Sequence, residues 1–96
     1  MLYYKMEEFQ AAITSFENFL KDNPSTKHRE EIINYMVLTY AKYAEKSVLE
    51  KQRERYELAL EKYNTLMYMY PDSKYLPELE PTVEKIKIEL SNIKTK

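Results

Sequence analysis

Residues 9–27, FQAAITSFENFLKDNPSTK, and residues 56–74, YELALEKYNTLMYMYPDSK, are two versions of one unit set 47 positions apart. Phe9, Ala12, Ile13, Phe16, Phe19 and Leu20 recur as Tyr56, Ala59, Leu60, Tyr63, Leu66 and Met67, and the exit Pro24-Ser25-Thr26-Lys27 recurs as Pro71-Asp72-Ser73-Lys74. Steps of 3, 1, 3, 3 and 1 residues put the six apolar side chains on one stripe of a helix. Each copy is therefore an amphipathic helix that stops at its proline and must pack against neighbours. Helical units repeated in this way predict an all-α solenoid, an architecture whose stacked helices usually bind other proteins.

Working outward, the first full helix is expected over residues 6–22, ending ahead of Pro24 because the residue before a proline is pushed out of the helical region. Met1-Leu2-Tyr3-Tyr4-Lys5 starts with apolar and aromatic residues and no cap, and reads as the tail of an earlier helix in a longer protein. A second helix is expected over 28–44, with Ile33, Met36, Val37, Tyr40 and Ala44 as its buried stripe. Ser47-Val48-Leu49-Glu50 has the form of a capping box, in which the serine hydroxyl and the glutamate carboxylate satisfy each other's backbone N–H. It would start a third helix over 48–70, longer than its first-copy counterpart by two turns or more. The fourth helix, over 78–93, carries Leu79, Val83, Ile86, Leu90 and Ile93 on one stripe. Pro81 would cost that helix a hydrogen bond, so a start near Glu80 or a kink there is expected. The whole of 1–96 reads as one repeat fragment.

Composition narrows the function. Fifteen Lys and Arg nearly cancel 16 Asp and Glu, leaving a net charge of −1, so there is no electrostatic footprint for nucleic acid or for anionic lipid. Cysteine is absent, which excludes disulfides and thiolate metal sites. The longest apolar runs, such as Leu66 to Tyr70, are too short to span a bilayer. No phosphate-cradling loop can form without glycine. His28, the single histidine, lies between Lys27 and Arg29 and reads as solvated. Glu7-Glu8 and Glu30-Glu31 are neighbours in sequence and diverge by about 100° on a helix. Nothing here assembles a catalytic group or a cofactor site, and a protein partner is the expectation. Ten tyrosines and three phenylalanines could stack single-stranded bases. However, Phe9, Phe16, Tyr40, Tyr56 and Tyr63 fall on the buried stripes and are expected in the core. Tyr35, Tyr43, Tyr68, Tyr70 and Tyr75 fit those stripes less well and are expected to be partly exposed.

Tyr40, Ala12 or Ala59, Phe16 or Tyr63, and Pro24 or Pro71 resemble the signature positions of a tetratricopeptide repeat over nearly the whole chain. Val37 and Ala44 stand where that pattern prefers glycine. The longer period, with extra residues in the exits and in Ala44 to Gln52, resembles the C-terminal part of the BamD-type outer-membrane assembly lipoproteins. Arg53-Glu54-Arg55-Tyr56-Glu57-Leu58-Ala59 and Tyr70-Pro71-Asp72-Ser73-Lys74-Tyr75 carry that likeness further. The resemblance implies a scaffold on the periplasmic face of the bacterial outer membrane, held there by a lipid anchor outside this chain and working with barrel-assembly components. A periplasmic adaptor of the Tol–Pal or cell-division type, or a repeat segment regulating an enzyme, stays open beside it. Transferred by repeat position, the inner face of helix A would present Glu31, Asn34, Leu38 and Ala41 to a partner. The inserted stretch, with Lys51, Arg53 and Arg55, is the second candidate surface, expected to project from the stack. The first helix should leave some of Leu2, Tyr3, Met6, Phe9 and Ile13 uncovered, so that the chain either self-associates through its N-terminal end or is only marginally stable as a monomer.

Overall fold

The computed structural model describes residues 2–94, with the side chains of residues 2–7 and 94 outside the description. It contains four helices: α1 (Leu2–Asp22), α2 (Arg29–Glu45), α3 (Leu49–Met69) and α4 (Tyr75–Lys94). None of them is long and apolar enough to cross a membrane. The all-α repeat architecture expected from the 47-residue register is present.

The repeat extends to the turns, hydrogen bond for hydrogen bond. The Asn23 N–H donates to the Phe19 carbonyl at 2.9 Å, as that of Tyr70 donates to Leu66 at 2.7 Å. The Thr26 N–H reaches Asn23 at 3.0 Å, and the Ser73 N–H reaches Tyr70 at 3.0 Å. The hydroxyls of Thr26 and Ser73 then accept from the N–H of His28 and Tyr75, each at 3.1 Å. A β-hydroxyl that accepts from the N–H two residues on, an ST turn, leads into both α2 and α4.

Two boundaries differ from the sequence expectation. There is no break between Lys5 and Met6: α1 is continuous from Leu2, because Lys, Met and Glu are all good helix formers and nothing there interrupts them. In consequence α1 and α3 are both 21 residues long. They match from Leu2 against Leu49 to Asp22 against Met69, so the inserted stretch does not lengthen α3 beyond its counterpart. Helix α4 begins at Tyr75, with Pro81 inside it. Pro77 falls in the first turn, where an N–H has no helical acceptor anyway. The carbonyl of Pro77, which Pro81 leaves without its helical donor, belongs to an exposed residue beside an exposed proline.

Packing follows a two-layer rule. Helix α2 touches all three others, whereas among the described residues α1 makes no close backbone approach to α3 or α4. First and third helices therefore form one layer and second and fourth the other, as in a tetratricopeptide-like stack. Ile13, Met36, Tyr40, Tyr43, Ala44, Tyr56, Ala59 and Ile86 form one buried cluster. Ile33, Val37, Leu66, Leu79 and Val83 form the other, and Leu20 and Leu60 pack against both.

The two A-type helices bury different faces. Ile33, Val37, Tyr40 and Ala44 of α2 share these clusters with Tyr56, Ala59 and Leu66 of α3. The α4 residues 47 positions further on are Glu80, Glu84, Lys87 and Ser91, all exposed. Helix α4 thus keeps the stripe that faces back toward α3 and carries polar groups where α2 holds its following helix. It closes the stack.

The Tyr40 hydroxyl donates to Glu17 Oε2 of α1 at 3.3 Å. Burial foremost, then the Glu17 charge and this hydrogen bond, raise the Tyr40 pKa to about 12 from 10.0. A raised folded-state pKa means that the unfolded chain ionises first as pH rises. The contribution is whole below pH 10 and is lost between about 10 and 12. Melting temperature followed over that window should fall less steeply for Tyr40→Phe than for the parent. Parallel curves would mean that Tyr40 does not titrate late.

Candidate functional site

The inner face of α2 is a run of exposed or half-exposed residues at Tyr35, Leu38, Lys42 and Glu45. Their counterparts on α4 are Thr82, Lys85, Glu89 and Asn92. Two hollows, with no lining residue in common, follow one another along the α4 stripe and are taken together as a furrow. The first, of about 370 Å³, is lined by Leu38, Ala41, Lys42, Glu45, Tyr56, Thr82, Lys85 and Ile86. The second, of about 440 Å³, is lined by Leu49, Glu50, Gln52, Glu89, Asn92 and Ile93. On α4 the lining residues follow one stripe from Thr82 to Ile93, about 16 Å along the axis at 1.5 Å per residue.

Charges are sorted along the furrow. In the first hollow Glu45 is gripped from both walls, with Lys42 Nζ at 3.6 Å and Lys85 Nζ at 3.5 Å. Partial burial pushes the Glu45 carboxyl up, but the charges of Lys42, Lys85 and Lys46 outweigh it and hold the group below its ordinary value. Both lysine side chains stay more than half exposed, at 61% and 60%, so each can meet a further acceptor. The second hollow holds the carboxylates Glu50 and Glu89 and no Lys or Arg. Tyr56 connects the two: burial, then Glu89, then Glu45 raise its phenol pKa. Its hydroxyl is thus held neutral close to carboxylates from both hollows, a poor nucleophile and a serviceable hydrogen-bond donor.

The sequence-derived site residues are dispersed by the fold. Leu38, 41% exposed, and half-buried Ala41 line the first hollow together. Glu31 lies on the same stripe of α2, seven residues before Leu38, but lines a separate hollow with Tyr35, Phe16 and Phe19, accepting from the Tyr35 hydroxyl at 3.2 Å and lying 3.7 Å from His28 Nδ1. Asn34 is 6% exposed and belongs to the interior. Lys51 and Arg53 are exposed, and neither lines the furrow.

Arg55 is turned inward, its guanidinium 4.0 Å above the Tyr43 ring and its Nη1 donating to Ser47 Oγ at 2.8 Å. Ser47 Oγ in turn donates to the Tyr43 carbonyl. The capping box is therefore not formed: the N-cap of α3 is Val48, with extended backbone and no side-chain cap. Arg55 offers the serine hydroxyl a charged donor, a stronger partner than a backbone N–H. The same contact corrects Tyr43, which is buried at 7% exposed rather than partly exposed. Its ring lies between Arg55 and Phe9, the latter with centroids 6.0 Å away.

Lys42, Glu45, Lys85 and the Glu50–Glu89 pair escaped the sequence reading. Carrying the α2 stripe one turn further and mapping it 47 residues onto α4 finds four of the five, all but Glu50.

A family model described as "YfiO: Outer membrane lipoprotein" matches residues 2–95. No curated protein matches the chain.

Proposed function

Because this chain belongs to the YfiO family of outer membrane lipoproteins, a family of the periplasmic face of the outer membrane, we propose that it is a non-catalytic protein-binding scaffold. Specifically, it is the C-terminal part of a BamD-type component of β-barrel assembly. A lipid anchor outside this chain would hold it at the membrane. The observation that carries the scaffold reading is the furrow, with its apolar floor, charged rim and walls from α2, α3 and α4.

The furrow tests it. A photo-crosslinking amino acid at Leu38 or Thr82 in cells should capture a barrel-assembly component, whereas the same group at Tyr68, 88% exposed on α3, should not. Capture of a Tol–Pal or division protein in its place would transfer the scaffold to the adaptor class. Equal capture from all three positions, or none, would remove the furrow as the binding surface.

A further inference from the structure

We propose that the furrow takes one amphipathic α-helix of a partner protein, laid along α4 with its acidic end over Lys42 and Lys85 and its basic end over Glu50 and Glu89. This rests on the scaffold reading above and adds the chemistry and direction of the occupant.

Three observations carry it. The first is charge order. One end of the furrow has two lysines against the single carboxylate Glu45. The other end has two carboxylates that make no ion pair among the described residues. Complementary charge sets register and rejects wrong partners more than it adds affinity. A partner of uniform sign would satisfy one end and be repelled at the other.

The second is spacing. The apolar floor follows α4 from Ile86, 1% exposed at the bottom of the first hollow, to half-buried Ile93 in the second. Seven residues separate them, about 10.5 Å of helix. A partner helix presents side chains at that interval from positions i and i+7 of one face, the pattern of a helix lying in a groove. Leu38 on one wall and Leu49, 65% exposed, on the other complete the two contact points.

The third is how the rim is held. The two lysines share Glu45 across the α2–α4 seam, so the cationic end is positioned before any partner arrives. A helix whose acidic residues lie at its N-terminus and basic residues at its C-terminus also has its charges matched to its own dipole. Such a helix would run parallel to α4.

The test uses four synthetic 16-residue helical peptides and the isotope-labelled chain, titrated by NMR. All carry two leucines seven residues apart. One has Glu in its first turn and Lys in its last, one has Lys at both ends and one has Glu at both ends. The fourth is the mixed peptide with a central proline. The mixed peptide should shift amides of Thr82–Ile86 and Glu89–Ile93 and bind roughly fivefold or more tighter than either uniform peptide, a ratio in keeping with a few exposed ion pairs. A nitroxide on its acidic end should broaden Thr82 and Lys85 more strongly than Asn92, and one on its basic end should reverse that order. In the variant Lys42→Glu with Lys85→Glu, the all-Lys peptide should become the tightest. Equal binding of the mixed and uniform peptides in the furrow would overturn the charge order. Undiminished binding of the proline peptide would show an extended occupant instead of a helix. If furrow positions crosslink an assembly component in cells yet none of the peptides binds, the scaffold reading stands and this inference fails. If crosslinks and shifts are both absent, the two fall together.

Discussion

Leu66→Ala should lower the unfolding free energy by about 2–5 kcal/mol, the range for truncating a large aliphatic side chain in a packed interior. Leu66 is 0% exposed and shares its cluster with Ile33 and Val37 of α2 and Leu79 and Val83 of α4. The cavity would open where three helices meet, and none of them can close it without losing a contact elsewhere. Urea melts should show a lower midpoint with an unchanged slope. A loss below about 1 kcal/mol would mean that the α2–α3–α4 junction relaxes far more than a close-packed interior does. The repeat supplies an internal control. The counterpart of Leu66 is Phe19, which is 40% exposed, so Phe19→Ala should cost much less.

Enlarging the two small residues should separate in the same sense. Ala59 is 0% exposed, in a cluster with Tyr40, Tyr43, Ala44 and Tyr56, and Ala59→Leu should overpack it by about 1–3 kcal/mol. Ala12 occupies the same repeat position but is only half-buried, because among the described residues α1 makes close backbone approaches to α2 and not to α3 or α4. Ala12→Leu should be close to neutral. Equal destabilisation by both, measured in parallel urea melts, would show that the α1 site is as crowded as the α3 site.

The contrast between these pairs marks what could be read from residues alone. The 3-1-3-3-1 register of residues 9–20 and 56–67 specifies amphipathic helices, and Pro24 and Pro71 specify where they stop. Those are local properties, and the all-α stack follows from them. Burial along an identical stripe is not local: Phe19 and Leu66 have the same spacing and differ because one helix has neighbours on two sides. Ser47 fails for a related reason. Its capping motif is genuine in sequence, but Arg55, eight residues on, competes for the hydroxyl and also draws Tyr43 out of the predicted exposed set. Of the site, Leu38 and Ala41 were legible because repeat position carries over between stacks. The lysine pair around Glu45 was not, since Lys85 reaches Glu45 from another helix, 40 positions away. The side chains of Leu2, Tyr3 and Met6, expected to be uncovered, lie outside the described residues, while Ile13 is buried at 6% exposed.

The exposed Glu80, Glu84, Lys87 and Ser91 seam of α4 also limits the symmetry of any self-assembly. Growth of a stack through this seam would need an apolar flank on α4, and the seam offers charges there. Open filaments, which require such a heterologous joint repeated without closure, are therefore disfavoured.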